Sequence, residues 1–285
     1  NIDLYLNKNK IFLPILRSKK LNKKFLVSGK IKSTNFVLGE SDLEKIPKLN
    51  QIQQNIKKIK FSSENTFEFE IDKKLKMERL KILTKIDLNE LTLENKTDFI
   101  KFFPNLKSEV KFQKNKIELE YKNETLKLKG FGKILIQNTE DKIEYNLTKS
   151  KKDLIFESNL KITNNPLIFD FLNFQKEKDS TLTIKVKGNK KLEKNIFFEK
   201  IHLEEKKNSF VISNLYLDNQ NMVKEFKEIY LNYLDRDKLK NEISILKKDG
   251  NYNLNGKILN LTKFIDNILD HKKENNKVFF KSMFN

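Results

Sequence analysis

At 285 residues the chain has room for one large domain or two of ordinary size, and its 38% hydrophobic and 11% aromatic content, nearly all of the latter Phe, excludes a disordered chain. The net charge is +19, but only Arg17, Arg79 and Arg236 among its 58 basic residues are arginines. Base-edge readout and bidentate phosphate grips favour the guanidinium fork, and the lysines are scattered among glutamates, so no specific nucleic-acid site is expected. There is no cysteine, hence no disulfide or thiolate metal centre, and no apolar run approaches the roughly 18 residues of a membrane span.

In chain order, the first helical signal is Ser41-Asp42-Leu43-Glu44, which has capping-box spacing ahead of Ile46, Leu49, Ile52 and Ile56, with Pro47 bending or shortening the helix. From one end of the chain to the other, apolar and charged residues alternate with period two, the mark of strands with one apolar and one charged face. Segments 59–72, 124–138 and 193–206 each run for about a dozen residues without a breaker, against a usual five or six. Thr97 to Phe103 reads as a turn or two of helix stopped by Pro104. Ile117, Leu119 and Tyr121 form one face, Leu126 and Leu128 the next, and Ile134 and Ile136 resume it after Gly130-Phe131-Gly132, where a bulge or close backbone approach is expected. Leu154, Phe156, Leu160 and Ile162 follow. Asn165-Pro166, with Leu167, Ile168, Phe171 and Leu172, predicts another short helix. Leu182, Ile184 and Val186 alternate with Thr and Lys, and Phe197, Ile201 and Leu203 make a further face. Ile243 and Ile245 are set to pair with Tyr252 and Leu254 across an Asp249-Gly250 turn. Leu261, Phe264, Ile265, Ile268 and Leu269 form a helical stripe over 261–270 behind an Asn260 N-cap, and Val278 to Phe280 start a possible strand. With only 7 Gly and 4 Pro, turns must rely on Asn and Asp, as at Asn164-Asn165, Asn219 to Asn221 and Asn275-Asn276.

Candidate catalytic groups are few. His202 sits between Ile201 and Leu203, so it points to the charged side of its strand, and His271 is the only other histidine. No phosphate loop, nucleophile elbow or paired-histidine zinc motif occurs, and the carboxylates, including Glu204-Glu205 and Asp235/Asp237, lie beside lysines on faces expected to meet solvent. No enzymatic role, metal or cofactor is expected.

Asn251-Tyr252-Asn253-Leu254-Asn255-Gly256-Lys257-Ile258-Leu259-Asn260-Leu261-Thr262-Lys263-Phe264-Ile265 runs from a strand through a glycine into an amphipathic helix, behind repeated strands at Ser209 to Asp218 and Lys224 to Leu234. This resembles the repeating region of the AsmA-like family of Gram-negative envelope proteins (the YhdP and TamB type), over about residues 1–270, although Asn260 stands where Asp is commoner. The resemblance implies a mainly β fold, a long twisted antiparallel sheet forming an elongated half-pipe with a few short helices. It further implies a periplasmic chain anchored in the inner membrane, an outer-membrane partner, and phospholipid acyl chains held or conducted along the groove, with no catalytic residues. The chain opens at Asn1 rather than Met, so it reads as a segment of a longer protein with its anchor upstream, residues 1–270 forming the groove and 271–285 a next strand or tail. The expected lining is Leu126, Leu128, Ile134, Ile136, Leu154, Phe156, Leu160, Ile162, Leu182, Ile184 and Val186. The same residues would equally make the closed core of a structural or adhesive β protein, and the net charge leaves a polyanion-binding role open.

Overall fold

The computed structural model describes residues 2–6, 8–43, 55–95, 99–191, 195–258 and 260. The period-two patterning becomes β1 (Ile2–Leu6), β2 (Asn9–Leu21), β3 (Lys24–Gly39), β4 (Ile56–Asp72), β5 (Met77–Glu94), β6 (Glu109–Lys122), β7 (Thr125–Leu135), β8 (Glu140–Lys149) and β9 (Asp153–Ile162). A short hairpin of β10 (Ile168–Phe169) and β11 (Phe174–Gln175) intervenes. Then come β12 (Leu182–Lys191), β13 (Ile196–Glu205), β14 (Asn208–Leu217), β15 (Val223–Glu225), β16 (Glu228–Leu234), β17 (Lys240–Lys248) and β18 (Asn251–Ile258). All but β10 and β11 join one large antiparallel sheet, ordered β1 to β9, β12 to β14 and β16 to β18, with β15 on β14. The sheet is not closed into a barrel, and the expected mainly β class with a long antiparallel sheet is the one observed.

Turn chemistry follows the Asn-rich composition. Asn123 and Glu124 both take positive φ in the two-residue link from β6 to β7, as do Asp249 and Gly250 between β17 and β18, the twist that suits a tight hairpin. In the second hairpin Ile245 pairs with Leu254 as expected, whereas Ile243 faces Gly256 and Tyr252 faces Lys247.

Helix is scarce. α1 (Glu40–Leu43) realises the start of the first helical signal, with the Asp42 carboxylate accepting the Gly39 N–H at 3.1 Å. Ile56 opens β4 instead of closing that helix, and Ile46, Leu49 and Ile52 lie outside the described residues, as do the 261–270 helix and the strand at Val278 to Phe280. A 3₁₀ turn at Phe99–Lys101 stands where a turn before Pro104 was expected. The helix expected after Pro166 is absent. Residues 168–175 instead form β10, a 3₁₀ turn at Asp170–Leu172 and β11, because the Ile168 N–H bonds the Phe102 carbonyl and Asn173 turns left-handed at φ 50°. Long-range backbone pairing outweighs the local helical spacing there.

The chain divides into two compact units: Asn1–Thr97, Lys107–Ile136 and Lys142–Lys152 make unit 1, and Asp98–Leu106, Gln137–Asp141 and Asp153–Asn285 make unit 2. In unit 1 the long strands are broken by bulges. β2 carries an extra residue opposite β3 in the span that contains Pro14, which has no N–H to give the ladder. β3 has one extra residue opposite β4 around Asn35, and β6 one opposite β7 around Lys114, each of these two residues having positive φ. Each such insertion bends its strand and increases the local twist.

In unit 2 the link from β9 to β12 folds over one end of the apolar face. Ile162, Leu167, Phe174, Leu182, Phe210 and Tyr233 are buried together there, with Phe102, Phe103, Phe169 and Leu172 packed around them. The link is fastened by polar groups: the Tyr233 hydroxyl donates to the Leu172 carbonyl at 3.0 Å, and the Arg236 N–H to the Asn173 carbonyl at 2.8 Å. Gln137 Nε2 holds the Pro166 carbonyl at 2.8 Å.

Candidate functional site

The register of unit 1 sorts its side chains into two unlike faces. On one, cross-strand partners run Gly29–Phe67–Ile82–Tyr121–Leu126, then Ile31–Asn65–Thr84–Leu119–Leu128, then Ser33–Ser63–Ile86–Ile117–Gly130, then Leu38–Ile59–Leu91–Phe112–Ile134. No Lys, Arg, Asp or Glu stands in these rows. On the opposite face Lys32, Glu64, Lys85, Glu118 and Lys129 lie side by side on β3 to β7, signs alternating across five strands, with Lys32 and Glu64 in contact at 2.5 Å. Opposite charges directly across a pair stabilise and like charges destabilise, so this ladder also favours the register that keeps the first face apolar.

Over that face lies an open hollow of about 680 Å³, lined by three-residue stretches of β3, β4, β5, β6, β7 and β8 centred on Ile31, Asn65, Thr84, Leu119, Leu128 and Leu147, with charged neighbours such as Lys30, Lys32, Glu118 and Lys127 in the same stretches. Six flat neighbouring strands would span roughly 24 Å at about 4.8 Å each, too wide to line one such space, so the bulges must curve the sheet around it. The volume falls within the roughly 300–1,000 Å³ of small-molecule sites. Beside the hollow, Gly130 admits the ring of Tyr145, which lies 2.4 Å from where a Cβ would stand, and the close backbone approach expected at Gly130-Phe131-Gly132 is at Gly132, where the Asn115 Cα lies 2.6 Å from such a Cβ.

Burial raises the Tyr145 phenol to about 12, and its hydroxyl donates to Asn115 Oδ1 at 3.4 Å. A folded-state value above the unfolded value of about 10 stabilises the fold fully below pH 10, and that contribution is lost as pH rises from about 10 to about 12. Urea midpoints measured across this window should therefore fall more steeply for the wild type than for Tyr145→Phe; parallel curves would contradict the burial.

The expected lining residues divide. Leu126, Leu128 and Ile134 share the uncharged face of β7, and Leu128 lines the hollow; Ile134 is buried, and Ile136, just beyond β7, is half-buried. The others belong to unit 2. Leu154, Phe156, Leu160 and Ile162 do share a face with Leu182, Ile184 and Val186, since Ile162 pairs with Leu182 and Leu160 with Ile184. Ile162 and Leu182 are fully buried in the core beneath the link, with Leu160 and Ile184 packed on it, while Phe156 meets Phe198 edge-on at 5.7 Å. At that end the apolar face is filled by protein. Ile31, Leu119 and Leu147 line the hollow without having been singled out for it, although the alternation of Ile31 and Leu119 with charged neighbours, and of Leu147 with Asn146 and Thr148, was the available signal.

No known family model, curated protein or solved structure matches the chain.

Among the described residues no three His, Asp or Glu side chains come together as metal ligands, and no helix is long and apolar enough to cross a membrane. His202 faces Lys185 and Val211 across its strand, on the side expected, and lies 3.2 Å from Ser209 Oγ; burial holds its pKa below the ordinary value. The expectation that carboxylates meet solvent is corrected at three positions. Glu205 is only 1% exposed, accepting from the Glu177 N–H at 2.8 Å, from the Ser180 hydroxyl and from Asn208. Asp141 is buried against Asn165 at 2.6 Å, and burial raises its pKa. Asp235 is buried under the N–H groups of Asp237 and Leu239 and the Asn260 amide. Lys176, also buried, donates to the carbonyls of Thr163 at 2.6 Å and Glu177 at 3.0 Å, and burial lowers its pKa. Asp141, Lys176 and Glu205 fasten the link between β9 and β12, whereas Asp235 holds the turn between β16 and β17.

Proposed function

We propose that the protein is a non-catalytic lipid-holding segment of a bacterial envelope protein, in which the curved apolar face of unit 1 receives phospholipid acyl chains. The observation that carries this reading is the uncharged face of β3 to β8 around a hollow of about 680 Å³, backed by a charged ladder on the other side of the same strands. A side chain that only packs on its neighbours becomes buried, yet Ile31, Leu119, Leu128 and Leu147 remain half-exposed on the hollow. Each acyl methylene moved there from water gains about 0.8 kcal/mol. No charged residue stands in the cross-strand rows of that face, so an acyl chain lying across β3 to β7 covers no ion. The resemblance of residues 251–265 to the AsmA-like repeat supplies the setting: a periplasmic location, an inner-membrane anchor outside this chain and a partner at the outer membrane.

Purification followed by solvent extraction and mass spectrometry tests the reading. Phospholipid at a fixed ratio to protein is the expected result. A chain that purifies lipid-free and takes up none from vesicles would overturn it. The filled end of unit 2 favours a second reading, a sealed structural β protein, which that lipid-free outcome would support.

A further inference from the structure

The hollow of unit 1 is not uniformly greasy. Its central row reads Ile31–Asn65–Thr84–Leu119–Leu128, placing two polar residues side by side on adjacent strands with aliphatic neighbours on both flanks. Both amide hydrogens of Asn65 are used: Nδ2 donates to the Ile31 carbonyl at 3.2 Å and to Ser63 Oγ at 2.9 Å. Ser63 in turn shares a 2.9 Å hydrogen bond with Ser33, and both serines are buried. The Asn65 amide is thus held in one orientation, and its remaining capacity is the acceptor Oδ1. Thr84, directly opposite, brings a hydroxyl that can donate or accept. Among the described residues neither Oδ1 of Asn65 nor the Thr84 hydroxyl has a protein hydrogen-bond partner.

We infer that Asn65 and Thr84 form a polar station that binds an uncharged hydroxyl on an otherwise apolar chain. Directly opposite side chains lie about 4.5–5.5 Å apart at Cβ, so one hydroxyl between them can donate to Asn65 Oδ1 and accept from Thr84. An ether or ester oxygen only accepts, and leaves Asn65 Oδ1 unmatched. A carboxylate or phosphate only accepts as well, and no Lys or Arg stands in the central row to offset its lost hydration. The inference rests on the lipid-holding reading and narrows it: the ligand class of this hollow is a neutral hydroxyl-bearing amphiphile of the long-chain alcohol or diacylglycerol type. The charged head of any phospholipid sharing the face stays outside the hollow.

Displacement of diphenylhexatriene, a neutral probe that fluoresces in apolar surroundings, separates the possibilities when 1-dodecanol, methyl dodecyl ether and ionised dodecanoate at pH 8 are compared on the full chain. The wild type should bind the alcohol about tenfold tighter than either competitor, the scale of one or two net hydrogen bonds. Asn65→Leu, which removes the acceptor that only the alcohol can engage, should reduce that preference toward parity while leaving ether binding unchanged, and the near-isosteric Thr84→Val, which removes a donor to either oxygen, should weaken alcohol and ether alike. Thr84→Val breaks no side-chain hydrogen bond among the described residues, so it keeps the test sound if Asn65→Leu fails to fold. Equal binding of all three ligands by the wild type, or alcohol and ether binding that Thr84→Val leaves at the wild-type level, overturns the station but leaves the lipid reading standing. No uptake of probe or ligand overturns both.

Discussion

Phe174→Ala is expected to destabilise unit 2 by about 3–5 kcal/mol, the range found when a fully buried aromatic is truncated to Ala. Phe174 is 0% exposed and meets Phe210 at 4.7 Å, Phe169 at 5.9 Å and Tyr233 at 5.9 Å. Its ring joins the link between β9 and β12 to strands β14 and β16, so its loss opens a cavity that rigid β-sheet backbone cannot readily collapse. Urea unfolding followed by far-ultraviolet circular dichroism measures the effect. Phe131→Ala is the matched control, because Phe131 is 53% exposed on the charged side of β7 and should change stability by no more than about 0.5 kcal/mol. Similar values for the two variants would mean that the link does not close the apolar end.

A charge on the floor of the hollow is expected to remove bound lipid. Leu119→Glu places a carboxylate in the row Thr84–Leu119–Leu128, where the face supplies no counter-charge. Covering that carboxylate with an acyl chain would strip its hydration, and the effective penalty for a buried ion is several kcal/mol, enough to cancel the gain from several methylenes. The fold itself should survive, since Leu119 is only half-buried and the new charge can meet water when no lipid is present. Lipid phosphorus per protein chain should fall to background in Leu119→Glu and stay at the wild-type level in Glu118→Gln, one residue away on the opposite face. Unchanged loading of Leu119→Glu would place the lipid elsewhere.

Much of this architecture is legible in the sequence because a strand displays its two faces at alternate residues. Leu126 and Leu128 against Lys127 and Lys129 fix both the strand and the side each residue takes, and Asp249-Gly250 marks its hairpin directly. The bend is less legible. Asn35 and Lys114 carry no signal that distinguishes a bulge residue from any other polar residue in a strand, yet their positive φ shifts the register and curves β3 and β6. The link after Pro166 misleads for a different reason: Leu167, Ile168, Phe171 and Leu172 have helical spacing, but Phe171 is exposed while Leu167 and Phe174 are buried. Nor does a lysine-rich composition disclose that Lys176, Asp141 and Glu205 are buried, because their partners are backbone groups and amides brought in from distant strands.

The pairing pattern carries a consequence for how such a molecule can grow or shrink. Nearly every strand lies against the one that precedes it in the chain, so each new ribbon emerging from the ribosome finds its template already laid down, and ordering can proceed from the amino end without waiting for remote segments. Removing two successive ribbons, such as β6 with β7, would leave β5 and β8 running in opposite senses and therefore able to join. A sheet of this design can therefore gain or lose strands as whole hairpins, much as one-dimensional repeat arrays vary in the number of their units.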